Sequence, residues 1–191
     1  MVPSRACVAL PDWLAGLPEP EPLRHLTDRM ELVLQLAMRN VVEATGGPFS
    51  AAVFERDSGR LVSVGVNRVV PANSAIAHAE ILALALADAA SGTYDLGAAG
   101  MPPMQLVSSS QMCAMCLGAV VWSGVREVAY ATTTGDVVAT VGFDEGPTPR
   151  DYADQLDRRG IRLIPGLMRD EGLAVLRAYV AAGGEVYNAH H

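Results

Sequence analysis

Apolar positions recur along this chain in two periods, and the switches between them mark out its elements. From Asp28 to about Thr45, Leu32, Leu36 and the run Met38 to Val42 form a stripe at helical spacing. Asp28 with Glu31 three residues later predicts a capping box at its start, and Gly46-Gly47-Pro48 ends it. His25, just before this helix, is expected to be a surface or capping residue. Ser50–Glu55 and Leu61–Val66 are short β-rich runs joined by Arg56-Asp57-Ser58-Gly59-Arg60, which predicts a hairpin. A loop carrying Pro71 and Asn73 follows. From Ala75 to Ala90 the chain is apolar on nearly all sides, as expected of a buried helix between a sheet and a second helix or subunit. Strands are predicted at 104–108, 127–131 and 161–164, and helices at 114–122, 136–141, 150–159 and 170–182. After the hairpin, helices and strands alternate. About 29 residues separate the last two strands, enough for a crossover, so the pattern predicts parallel neighbours in a layered α/β domain of five strands.

The first 22 residues carry Pro3, Pro11, Pro18, Pro20 and Pro22 and read as an extended arm. Trp13, Leu14 and Leu17 could dock it on the body. The domain proper is expected over 23–184, with 185–191 as a C-terminal tail; nothing is assigned to His190 and His191. No apolar run approaches the roughly 18 to 20 residues of a membrane span, and the N-terminus does not read as a leader. Three cysteines, two of them close together, argue for a reducing compartment, so a cytoplasmic protein is expected. Lys plus Arg number 14 against 21 Asp plus Glu, a net charge of −7, which disfavours a nucleic acid partner. The apolar 81–90 segment predicts at least a homodimer.

The chemistry concentrates between His78 and Cys116. His78-Ala79-Glu80 stands 35 residues (113 − 78) before Cys113-Ala114-Met115-Cys116. One imidazole and two thiolates make three zinc ligands; a catalytic zinc site uses three and leaves a position for water. Cys113 and Cys116 are i and i+3, so they share one face at a helix start, where the helix N-terminus favours thiolate. His78 and Glu80 are i and i+2, about 200° apart on a helix. They cannot share a face, so their helix must meet the metal end-on. Glu80, outside the ligand set, is then the candidate base for the proton of the zinc-bound water. The structural alternative is a zinc knuckle with Glu80 as fourth ligand.

The H-x-E and C-x-x-C pair resembles the signature of the cytidine deaminase-like zinc superfamily, with Met112 in place of the proline before the first Cys. The resemblance implies a three-layer α/β/α sandwich with a five-stranded mixed sheet, a Zn²⁺ cofactor, and hydrolytic deamination with Glu80 as the proton carrier. The motifs look most similar to the guanine deaminase and nucleobase deaminase branch. Pro48-Phe49 resembles its entry to the first strand, and Gly65-Val66-Asn67-Arg68-Val69 its segment whose Asn contacts the base. Gly142-Phe143-Asp144-Glu145 resembles the segment whose acid reads the substrate edge. Gly184-Glu185-Val186-Tyr187 resembles the aromatic tail that closes the pocket, sometimes from the partner subunit, which would make a homodimer with a swapped C-terminus. Gln111 replaces the acid usually found before Pro-Cys.

By that resemblance the substrate contacts are Phe49, Asn67, Ala79, Asp144, Glu145 and Tyr187. Each has a plainer role open to it: Asn67 as a strand-end cap, Phe49 and Trp122 as core aromatics, Asp144 as a turn residue, Tyr187 as a frayed tail. The expected substrate is a free amino-bearing base, foremost guanine. Cytosine, 5-azacytosine or an aminotriazine is the alternative, and a non-catalytic zinc-bearing assembly subunit the reading from another class. tRNA adenosine deamination would need a cationic surface that this composition does not supply.

Overall fold

The computed structural model describes residues 7–18 and 20–188. Its elements are α1 (Asp12–Ala15), α2 (Leu26–Val42), β1 (Ser50–Glu55), β2 (Leu61–Val66), α3 (Val69–Ala72), α4 (Ala79–Ser91), β3 (Met104–Ser110), α5 (Ala114–Ser123), β4 (Glu127–Thr132), α6 (Thr134–Thr140), α7 (Tyr152–Asp157), β5 (Arg162–Ile164) and α8 (Arg169–Ala181). The five strands lie in the order β2-β1-β3-β4-β5. β1 runs antiparallel to both β2 and β3, while β3, β4 and β5 are parallel, so the sheet is mixed as expected.

Period-2 alternation sorts the strand residues into two cores. Ala51, Val53, Leu106, Val128 and Tyr130 point to the face covered by α4 and α5. Ala52, Phe54, Val107, Ala129 and Ala131 point to the face covered by α2 and α8. This gives the three-layer α/β/α sandwich. α4 packs closely because β2 carries Gly65: a Cβ there would stand 2.2 Å from the Ala79 carbonyl oxygen and 2.6 Å from the Ala83 nitrogen. The close approach places the first turn of α4 beside the end of the sheet.

Several expectations are corrected. α2 begins at Leu26 with His25 at its N-cap and no side-chain cap, so Asp28 and Glu31 form no capping box; Asp28 lies in the first turn, where its charge suits the helix dipole. The capping box belongs to α6, where Thr133 and Asp136 satisfy each other's backbone N–H groups and Arg169 pairs with Asp136. α4 starts at Ala79 rather than Ala75 and is buried on one face only; Leu86 is 41% exposed. Trp122 on α5 is 86% exposed and is not a core aromatic. Short helices α1 and α3 were not foreseen. Pro71 fits α3 because it lies in the first turn, where no N–H needs a partner. The arm docks as anticipated: Leu14 is buried with Leu36 and Val66, Trp13 Nε1 donates to Thr45 Oγ1 at 3.0 Å, and the Arg39 guanidinium covers the Trp13 ring at 4.6 Å. His190 and His191 lie outside the described residues, as does the arm before Cys7. None of the described helices is long and apolar enough to cross a membrane.

Candidate active site

The connectivity brings three chain segments to one end of the sheet. β1 and β2 form an antiparallel pair, so the residue before β1 (Phe49) and the residue after β2 (Asn67) are neighbours, with Asn67 N–H donating to the Phe49 carbonyl at 2.9 Å. β1 is antiparallel to β3, so this is also the carboxyl end of β3, where Ser110, Gln111 and Cys113 follow. Ligands of α/β sheets bind outside the carboxyl ends of parallel strands, and this site obeys that rule.

His78 and Cys113 are the N-cap residues of α4 and α5. Neither side chain caps its helix. Both turn toward a common point, to which Cys116 contributes from the first turn of α5. His78 Nδ1 lies 3.6 Å from Cys113 Sγ and 3.6 Å from Cys116 Sγ. Around a tetrahedral zinc ion with Zn–S of about 2.3 Å and Zn–N of about 2.0–2.1 Å, nitrogen and sulfur donors stand about 3.6 Å apart. The three donor atoms lie within 4.8 Å of one another, the one such group among the described residues. The electrostatics also ask for a cation. A hydrogen bond from Cys116 pulls the Cys113 thiol down to about 4 against the effect of burial, with His78 assisting, while Cys116 is driven up by that same bond and by burial. Two thiols this close and this buried ionise together only around a positive charge.

Glu80 is 6% exposed, the second residue of α4 and within its first turn. Burial, reinforced by the charge of Cys113, raises its carboxyl to about 7. His78 is raised although burial opposes it, through its hydrogen bond to Cys113 and the neighbouring Glu80.

A cavity of about 230 Å³ opens over this cluster, walled by Phe49, Asn67, His78, Glu80, Glu145 and Tyr187 among others. Asn67 is 1% exposed. Its Oδ1 accepts from Val69 N–H at 3.2 Å, the capping role, which fixes the amide and leaves Nδ2 buried without a partner. The expected cap and the expected contact are thus two ends of one group. Tyr187 lines the same space with its hydroxyl buried and without an aligned partner; burial pushes its phenol up, and the adjacent Asn67 amide offsets only part of this. A Cβ at Gly47 would sit 2.5 Å from that hydroxyl, so glycine is what lets the tail close in.

Of the two acids in the 142–146 loop, Asp144 is exposed and its Oδ1 accepts from Gly146 N–H at 2.8 Å, a turn role. Glu145 is the inner one. Burial, then the charges of Cys113 and Glu80, raise it to about 8. Phe49 and Phe143 are 5.5 Å apart, and Phe143 lies 4.5 Å from Tyr187, forming an aromatic wall. Ala79 is fully buried against β2 and does not line the cavity. Val69, Ala75 and Ser110 line it and were missed, and Asn188, beside Tyr187 in the tail, lines it too. Position was the available signal: the first two lie between Asn67 and His78, and Ser110 ends the strand that leads to Cys113. Met112 is 1% exposed, and the loop needs no proline, because Gln111 N–H donates to Thr132 O at 2.8 Å and Ala114 N–H to Glu145 O at 3.0 Å.

Residues 24–132 match the model of the cytidine and deoxycytidylate deaminase zinc-binding region. The chain belongs to this family. It is a zinc-binding family, and His78, Cys113 and Cys116 form the cluster that could hold the metal. The guanine deaminase of Bacillus subtilis (strain 168) is 34% identical over 116 residues, 61% of this chain and 69% of that protein. Among solved structures, the guanine deaminase from Nitrosomonas europaea is 48% identical, covering 95% of this chain and 99% of that one with a TM-score of 0.89. A structure solved in complex with 2,6-diaminopurine is 49% identical, covering 96% and 97%, with a TM-score of 0.90.

Because folding and metal binding are linked, Cys116→Ser is expected to lose bound zinc and thermal stability together. Zinc content by atomic absorption and thermal melting check this; full zinc occupancy in the variant would refute the ligand assignment.

Proposed function

We propose that this chain is a zinc-dependent aminohydrolase that converts guanine and water to xanthine and ammonia. The observation that carries the reading is a cavity that brings Asn67, whose Nδ2 is buried without a hydrogen-bond partner, together with two carboxyl groups, Glu80 and Glu145, beside the zinc ligands. A donor with no protein partner in a closed site is costly unless a ligand satisfies it. The cavity volume, about 230 Å³, is below the roughly 300–1,000 Å³ of sites for drug-sized ligands and suits a single planar base. The relatives named as guanine deaminases agree with this choice.

His78, Cys113 and Cys116 would hold the zinc, which would supply an activated water of lowered pKa. The chain's residues do the rest. Glu80 would accept one proton of the attacking water and pass it to the ring nitrogen beside the amino-bearing carbon; the second proton, from the hydroxyl now on that carbon, would move through Glu80 to the amine, which leaves as ammonia as the C–N bond breaks and the carbonyl forms. Asn67 Nδ2 donates to an acceptor on the base, its orientation held by the Val69 N–H. Glu145 accepts from a ring or exocyclic N–H. Phe49, Phe143 and Tyr187 exclude water and hold the ring flat. A site built on such buried polar pairs rejects bases that leave them unpaired.

We further propose a homodimer through the outer face of α4 and α5, where Ile81, Leu84 and Ala85 of α4 and Trp122 of α5 (86% exposed) line a largely apolar groove with Tyr94 (85%) in the single chain. The cysteine usage supports a cytoplasmic location.

The test of substrate is ammonia release by the zinc-loaded protein on guanine, cytosine, isocytosine, ammeline, adenine, guanosine and cytidine. Guanine is expected to have the highest kcat/KM. A faster pyrimidine or triazine would reassign the substrate, and no turnover on any member would leave a zinc-bearing binding protein. Light scattering is expected to give the mass of two chains; a monomer at working concentration contradicts the dimer.

A further inference from the structure

We infer that Asn188 is a positioning residue: its side-chain amide latches the C-terminal tail onto the 142–144 loop and so holds Tyr187 over the cavity. Residues 184–188 form no helix or strand, so their placement depends on individual ties. At the near end, the Tyr179 hydroxyl donates to the Glu185 carbonyl at 2.7 Å, and Gly184 passes so close beneath Tyr179 that a Cβ would stand 2.3 Å from its ring. At the far end, Asn188 Oδ1 accepts from Asp144 N–H at 2.8 Å and Asn188 Nδ2 donates to the Gly142 carbonyl at 2.9 Å. Tyr187 is strung between these anchors, with its ring 4.5 Å from Phe143, the residue flanked by Gly142 and Asp144.

Both ends of the Asn188 amide are therefore committed to backbone of the loop that carries Glu145. Asn188 lines the cavity, yet its assigned work is to bind tail to loop rather than to contact the base. The loop is tied in turn to α5, because Ala114 N–H donates to the Glu145 carbonyl next to the zinc ligand Cys113. Closing the tail and setting the position of Glu145 are then one event. Since the tail forms part of the cavity wall, its opening controls entry and exit.

The kinetic arm of the test rests on the guanine reading; the proteolytic arm does not. Chymotrypsin cleavage after Tyr187, followed by intact mass without substrate, reports how often the tail opens. Guanine kinetics report what opening does to binding. Asn188→Ala removes both bonds. Asn188→Asp keeps an acceptor for the Asp144 N–H but sets a carboxylate oxygen against the Gly142 carbonyl. With zinc content and melting temperature unchanged, Asn188→Ala is expected to be cleaved about tenfold faster and to show a KM about tenfold higher, with kcat within about twofold. Asn188→Asp is expected to be at least as impaired. Wild-type cleavage and KM in both variants would overturn the latch, as would a fall in kcat at constant KM, which would place Asn188 in the chemistry. A wild-type protein inactive on guanine would sink the substrate reading, while the cleavage rates still decide the latch.

Discussion

The site depends on two helix N-termini being forced together at one end of the sheet. His78 and Cys113 are the residues at which α4 and α5 begin, and both N-caps give up their capping role to face one another. The sheet sets the meeting point. α4 lies tight on β2 because Gly65 has no side chain, and α5 follows directly from the central strand β3. The helix dipoles favour negative groups there, and the chain supplies thiols and carboxylates. Glu80, Glu145 and the two cysteines raise or lower one another in a buried space, and a divalent cation resolves the conflict.

This arrangement ties the proposed closure of the tail to the proposed catalytic site. The Glu145 carbonyl satisfies the first-turn N–H of Ala114 on α5, while its side chain faces the cavity. Asn67 has a comparable arrangement: one end of its amide caps the chain after β2, and the other is buried without a hydrogen-bond partner, which is why we propose it as a substrate contact. In both residues the backbone contact orients the functional group at little entropic cost when substrate binds.

Much of this was legible in the sequence because it rests on local spacing. The order of elements, the mixed sheet and the placement of His78 and Glu80 on an end-on helix follow from periodicity and from the 100° step of a helix. The His78, Cys113 and Cys116 cluster follows from residue type and spacing. What was illegible depends on contacts between distant residues. The Asp28–Glu31 pair has the right letters for a capping box, but α2 starts earlier, and the working box lies at Thr133–Asp136. Trp122 reads as core by composition, yet faces outward because the α5 stripe that packs on the sheet is the one carrying Cys116 and Val120. Asp144 and Glu145 are adjacent and chemically alike; only the turn made by Asp144 shows that Glu145 is the inner acid. The Asn188 latch joins residues 44 and 46 positions apart, beyond any local pattern.

The central claim is that Glu80 moves protons and does not hold the metal. Its most direct test is Glu80→Gln, with zinc content and xanthine formation from guanine measured on the same sample. The geometry predicts one zinc per chain, as in the wild type, with kcat reduced by about 10²–10⁴-fold or more. Loss of zinc in this variant, or turnover within a few-fold of wild type at full occupancy, would contradict it.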